Sequence, residues 1–81
     1  MMTTKTLDRI REIVAKTLRL DPDAVSDTSS PDSLPGWDSV KHVQILMSVE
    51  EDLGVKLSEE QLATAWDVRS ILDAVNVTAA R

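Results

Sequence analysis

The sequence predicts an all-α fold, a small four-helix bundle of three longer helices and one short helix with a long first loop. Three segments repeat apolar residues at the helical period of about 3.6, and no segment shows the alternation of a strand. The apolar residues are almost all aliphatic, because the chain holds no Phe or Tyr and two Trp. We expect one small domain over residues 1–81, with a core of Leu, Ile and Val between about residues 4 and 77.

The first predicted helix covers about residues 4–19, where Leu7, Ile10, Val14 and Leu18 fall on one face. Asp and Pro at positions 21 and 22 end it. Residues 21–37 are rich in Asp, Ser and Pro without periodicity, which is unusual inside a compact domain. A disordered segment is the alternative, but the isolated apolar residues Val25 and Leu34 favour an ordered crossover.

The second predicted helix, about residues 39–53, has more apolar surface than one core contact needs. At about 100° per residue from Val40, one apolar set covers roughly 140–240° and another roughly 300–360°. The first set is Ile45, Leu46, Val49 and Leu53, and the second is Val40, Val43 and Met47. Either the bundle buries both sets, or the second set is an exposed docking strip. We favour the strip, since an adaptable Met suits a surface that receives several partners.

The remaining chain predicts a short helix and a longer one. Gly54 is suited to end the second helix, and residues 58–61 match a capping box that opens a third helix through about residue 65. Trp66 follows at a helix junction, where we expect it to be partly buried. Asp67 is a candidate cap for the last helix, whose apolar period predicts fraying after Asn76.

The junction at residues 34–40 presents a hydroxyl where a helix begins. Pro35 and Gly36 are typical of a turn. Asp38 or Ser39 can cap the helix by accepting a hydrogen bond from a backbone N–H. A helix N-terminus carries positive partial charge and unpaired N–H groups. An anion attached to Ser39, such as a phosphodiester, therefore lies in a favourable field, although an Asp-Ser pair at this place is by itself usually only a cap.

The Gly-Trp-Asp-Ser junction, the helix after it and the acidic residues at its end resemble the acyl carrier protein family, the phosphopantetheine-binding carriers of fatty acid, polyketide and nonribosomal peptide synthesis. Asp38-Ser39-Val40 looks like the family's Asp-Ser-Leu, with Val40 in place of the commoner Leu. The resemblance implies that a transferase moves 4′-phosphopantetheine from coenzyme A onto Ser39, and that Asp38 helps to hold the transferase's metal. The flexible thiol arm then carries acyl, aminoacyl or peptidyl thioesters.

The resemblance also implies where partners bind. In the family, the matching positions of the second helix meet partner enzymes, here acyl- or aminoacyl-activating ligases and synthases or transferases with basic docking surfaces. The candidate docking residues are Val40, Val43, Met47, Glu50, Glu51 and Lys41. Lys41 and His42 stand where bacterial fatty acid carriers tend to be acidic or neutral, which favours altered partner choice and a specialised pathway. A housekeeping fatty acid carrier is the alternative.

The amino-acid composition argues against several classes of function. A net charge of −5 argues against nucleic acid, and the absence of Cys excludes a disulfide or thiolate metal site, so a thioester carrier must take its thiol from a prosthetic group. We predict no enzyme activity, because His42 has no obvious orienting acid, and no metal site. The other expectations are a cytoplasmic monomer without membrane insertion. An unmodified acidic helical adaptor is the rival hypothesis.

Charge is uneven along the chain. Residues 1–20 hold five basic and two acidic residues, whereas the rest of the chain is strongly acidic. This asymmetry predicts either pairing of the first helix with acidic neighbours or a functional polarity.

Overall fold

The computed structural model describes residues 4–79, in which four α-helices are joined by loops. They are α1 (Thr4–Leu18), α2 (Ser39–Leu53), α3 (Glu59–Thr64) and α4 (Val68–Ala79). The described residues contain no strand. The predicted arrangement of three longer helices and one short helix is confirmed.

The first loop is ordered against the bundle, as predicted. Val25 is fully buried, and its carbonyl accepts a hydrogen bond of 2.6 Å from Nε of Arg11 on α1. Further along, the carbonyl of Ser29 accepts the backbone N–H of Val68 over 3.0 Å. The loop also contains a 3-10 turn at Pro22–Ala24 that the sequence analysis did not predict. Contacts to both α1 and α4 therefore hold a segment that has no periodicity of its own.

The two apolar sets of α2 have different surroundings. Ile45, Leu46 and Val49 are buried in the core, and Leu53 packs against it. The second set is exposed, with 65% of Val40, 55% of Val43 and 59% of Met47 accessible to solvent. Gly54 ends the helix with a left-handed φ of 65°. The bundle thus buries one side of α2, and the strip of Val40, Val43 and Met47 stays at the surface.

The caps of α3 and α4 form as predicted. Ser58 Oγ accepts the N–H of Gln61 over 3.1 Å, and Gln61 Oε1 accepts the N–H of Ser58 over 2.8 Å. Asp67 Oδ1 accepts the N–H of Ser70 over 2.7 Å. Hydrogen bonds from the side chain and then the backbone of Ser70 hold the pKa of Asp67 below its usual value.

The prediction that the last helix frays after Asn76 is wrong, because α4 continues through Ala79. The side-chain amide of Gln61 lies beside this last turn. Its Nε2 donates to Thr78 Oγ1 over 3.2 Å and to the carbonyl of Ala74 over 3.4 Å. A tertiary contact from α3 therefore supports residues that local propensity alone leaves marginal.

A charged contact joins α1 to α2. The guanidinium of Arg9 donates through Nη2 to Asp52 Oδ1 over 2.7 Å, and its Nε contacts the other carboxylate oxygen. This fork lowers the pKa of Asp52 through the hydrogen bond from Arg9. This ion pair supports the alternative in which the basic first helix pairs with acidic neighbours. Among residues 4–79, no helix combines the length and apolar character needed to cross a bilayer.

Candidate functional site

At the start of α2, Asp38 caps the helix and Ser39 presents the free hydroxyl, two roles that the sequence alone did not assign between them. Asp38 is the cap: its Oδ1 accepts the N–H of Lys41 over 2.9 Å, and its carbonyl accepts the N–H of His42 over 2.8 Å. Ser39 is the first helical residue and is exposed. Within the described part of the chain its hydroxyl makes no hydrogen bond. The capping residue thus leaves the serine oxygen free.

The electrostatics at Ser39 favour an attached anion. The N–H groups of Ser39 and Val40 lie in the first turn, where a helix supplies no carbonyl acceptor for them. Together with the helix dipole they form a positive end next to the hydroxyl. A phosphodiester on Ser39 therefore fits this end of α2 without burying charge.

The loop before the site is fixed by a turn and by an indole. Gly36 has a φ of 84°, a left-handed conformation that favours glycine, and its carbonyl accepts the N–H of Asp38 over 3.1 Å. Trp37 is buried, and its Nε1 donates to Nδ1 of His42 over 3.0 Å. Trp37 therefore packs the loop onto the bundle.

His42 is a correction to the sequence analysis. Only 2% of it is exposed, and its ring stacks on Trp66 with centroids 4.1 Å apart and planes 6° from parallel. Burial lowers its pKa, and a backbone interaction with Ala65 acts in the opposite direction. Nε2 is buried and has no hydrogen-bond partner among the described residues. The interpretation of His42 as a residue that alters partner choice at a docking rim is wrong, because the ring is buried.

A signal for the burial of His42 was present in the sequence. At about 100° per residue, His42 falls near 200° from Val40, inside the 140–240° arc that Ile45 and Leu46 bound. Because His42 is polar, it was not counted among the residues of the core face. Trp66, which the sequence predicts to be partly buried, is exposed at 43%, and its ring stacks on His42.

The candidate docking residues do not all share one environment. Val40, Val43, Met47 and Glu51 are exposed, and Lys41 is half-buried. The carboxylate of Glu50 instead accepts the N–H of Leu57 over 2.9 Å, so it faces the loop between α2 and α3. Met47 and Glu51 also line a groove between α1 and α2, together with Arg9 and Lys16. The strip therefore borders a mixed-charge groove rather than a uniformly acidic rim.

The site lacks the parts of a hydrolytic centre. Nδ1 of His42 is occupied by the indole N–H of Trp37, and the ring is buried, so it is not positioned as a base for Ser39. Among the residues described, no three His, Cys, Asp or Glu side chains cluster so as to hold a metal ion.

Residues 4–79 form a helical bundle that exposes the hydroxyl of Ser39 at the start of its second helix, with no described side chain placed beside it as a base. Residues 8–75 match the family model described as "Phosphopantetheine attachment site". The chain belongs to the acyl carrier protein family. It is a carrier protein, and the prosthetic group of this family is covalently attached 4′-phosphopantetheine, which carries acyl groups.

Three relatives illustrate the similarity. The chain is 30% identical to an acyl carrier protein of Thermosynechococcus vestitus over 94% of both chains. It is 34% identical to an acyl carrier protein of Zymomonas mobilis, over 84% of this chain and 91% of the relative. It is also 34% identical to the chloroplastic acyl carrier protein 1 of Spinacia oleracea over 90% of this chain, which spans about half of that relative, 51%.

Proposed function

We propose that Ser39 carries the 4′-phosphopantetheine arm and that Asp38 supports its attachment. The observation that carries this proposal is the free, exposed hydroxyl of Ser39 beside unpaired helix N–H groups. Asp38 uses Oδ1 for capping, and its second carboxylate oxygen accepts no hydrogen bond from the described residues. That oxygen is available to a metal ion held by the transferase.

The attachment reaction needs one nucleophile from this chain and catalytic groups from its partner. The Ser39 oxygen forms a bond to the phosphorus of coenzyme A that bears the pantetheine chain. The pyrophosphate bond to the nucleotide breaks, and the nucleotide leaves with the electron pair. The hydroxyl proton passes to a base of the transferase, since His42 is held away by Trp37.

The proposed docking surface is the strip of Val40, Val43 and Met47 with Glu51 and Lys41 at its edges. Exposed apolar side chains that begin beside the attachment residue suit enzymes that must reach the arm. Glu51 provides a negative charge for a basic partner surface, and Lys41 provides a charge that rejects some partners. Glu50 contributes to this surface less directly, since its carboxylate is bonded to Leu57.

The pathway remains a proposal with two candidates. Lys41 at the edge of the strip favours a specialised carrier, loaded by an acyl- or aminoacyl-activating ligase, while the similarity to relatives named acyl carrier protein is equally compatible with a housekeeping fatty acid carrier. The cytoplasmic location, the monomeric state and the single domain also stay predictions. Loading assays of the modified chain with acyl- and aminoacyl-activating ligases would separate the two candidates, because only the specialised carrier is expected to accept cargo from them.

Intact mass tests the attachment proposal. The chain is incubated with coenzyme A, magnesium and a promiscuous phosphopantetheinyl transferase, beside Ser39→Ala and, as the matched control on the same helix, Ser48→Ala. We expect a gain of one phosphopantetheine in the parent and in Ser48→Ala, and none in Ser39→Ala. No gain in the folded parent with more than one transferase would favour the unmodified adaptor.

A further inference from the structure

The ring of His42 connects the loop before α2 to the junction between α3 and α4. On one side it accepts the indole N–H of Trp37, and on the other it stacks on Trp66. Trp66 is itself fixed, because its Nε1 donates to the carbonyl of Ala63 over 2.7 Å. The hydrogen bond to Trp37 and the stacking on Trp66 together define the orientation of the ring.

The contact to Trp37 requires a neutral imidazole. An indole N–H is a donor only, so Nδ1 of His42 must carry a lone pair, and the ring proton lies on Nε2. Protonation would place a second N–H on Nδ1, facing the N–H of Trp37. The two donors would repel each other, and this hydrogen bond would be lost.

The position of Trp37 matters for the site because it immediately precedes the cap of α2. Trp37 is buried, whereas Pro35, Gly36 and Asp38 around it are exposed, so its indole is the side chain of this segment that is anchored in the core. Release of the indole would free the backbone that places Asp38 over the first turn. The geometry of both Asp38 and Ser39 would then be less defined.

We propose that His42 is a positioning residue for group attachment at Ser39, which it serves by holding Trp37 and thus the loop before α2 in place. The inference rests on the proposed function of Ser39. It makes attachment sensitive to the protonation of a residue whose ring makes no hydrogen bond to Ser39.

The charged groups around the stack do not supply an ion pair for His42. Asp38, beside Trp37, is bonded to the N–H of Lys41, and Asp67, beside Trp66, is bonded to the N–H of Ser70. Lys41 is the cation on the same helix. Burial is the main cause of the lowered pKa of His42, so acid is expected to act on the stack by forcing charge into an apolar site.

Two variants distinguish the effect of the hydrogen bond to Trp37 from the effect of simply filling the space that the His42 ring occupies. His42→Asn places an amide oxygen where Nδ1 stood, so it can still accept the Trp37 N–H but does not titrate. His42→Leu fills the space without an acceptor. We expect Asn at position 42 to retain the hydrogen bond at every pH and Leu to lose it at every pH.

The test measures the attachment rate and the indole N–H resonance of Trp37 in the full-length parent and both variants between pH 8 and pH 5. Each rate is divided by that of the parent at the same pH, which removes the transferase's own pH dependence. We expect His42→Asn to match the parent at pH 8 and to exceed it several-fold at pH 5, with the parent's Trp37 resonance titrating together with His42. His42→Leu should be several-fold slower at pH 8.

A constant rate ratio for His42→Asn, or a Trp37 resonance that does not follow His42, would overturn the inference. So would a parental attachment rate in folded His42→Leu. Absence of any attachment to the parent at pH 8 would instead contradict the proposed function of Ser39, and the inference would fall with it. The two failures are therefore distinguishable.

Discussion

The carboxylate of Glu50 accepts the backbone N–H of Leu57 over 2.9 Å, which connects the last turn of α2 to the loop that leads to α3. Glu50 lies beside Glu51 in the sequence, yet Glu51 is exposed and makes no such contact within the described chain. Two adjacent acids therefore have different roles, one in the fold and one at the surface.

Glu50→Ala and Glu51→Ala should differ in stability for this reason. A hydrogen bond to a charged group contributes about 1.5–3 kcal/mol, so Glu50→Ala should lower the free energy of unfolding by roughly that amount. An exposed substitution such as Glu51→Ala should change it by less than about 0.5 kcal/mol. Urea unfolding measures both values, and equal stability of the two variants would contradict the role assigned to Glu50.

Met47 and Leu46 form a second matched pair on α2. Met47 is exposed and Leu46 is buried, so a charge is tolerated at the first position and not at the second. Met47→Glu should keep the parental circular dichroism spectrum but reduce the transferase's kcat/KM about tenfold, or ~1.4 kcal/mol. Leu46→Glu should unfold the chain. Unfolding of Met47→Glu would show that Met47 belongs to the core.

Substitutions of Asp38 separate capping from assistance in attachment. Asp38→Ala removes the cap and should lower the free energy of unfolding by about 1 kcal/mol, whereas Asp38→Asn keeps an accepting oxygen and should cost little. Both variants should nevertheless slow attachment, because both remove the carboxylate. A parental attachment rate in Asp38→Asn would limit Asp38 to its capping role.

Stability should fall in mild acid because of His42. Its pKa is lowered in the folded state from an ordinary value of 6.5, so below about pH 6.5 the unfolded chain binds a proton that the folded chain resists. Between that pH and the lower folded pKa, the free energy of unfolding should decrease by at most about 1.4 kcal/mol per pH unit from this residue. His42→Leu should show a shallower slope from pH 7.5 to pH 5.5, and an unchanged slope would contradict the assignment.

The parts of the fold that local chemistry determines could be predicted from the sequence. The bounds of α2 follow from a capping acid before it and Gly54 after it, and the start of α3 follows from its capping box. The angular width of the apolar surface on α2 left two alternatives open, and the family resemblance together with Met47 favoured the exposed strip. Each of these signals lies within a few residues of the feature it determines.

Features that depend on distant contacts were missed. The last turn of α4 is supported by Gln61 of α3, and the burial of His42 depends on indoles from two separate segments. The position of Ser39 could be predicted, but the hydrogen bond that steadies the loop before it could not. A polar residue on a core face is recognisable as buried only when its partners are known.

Localisation of the arm tests the central claim most directly. Trypsin cleavage after Arg19 and Lys41 releases residues 20–41, a peptide that carries several other hydroxyl groups besides that of Ser39. After incubation with transferase and coenzyme A, fragmentation mass spectrometry of this peptide shows which residue has gained the phosphopantetheine. The account predicts that the whole gain lies on Ser39. A gain on any other residue, or an unmodified peptide from a folded chain with an active transferase, would contradict it.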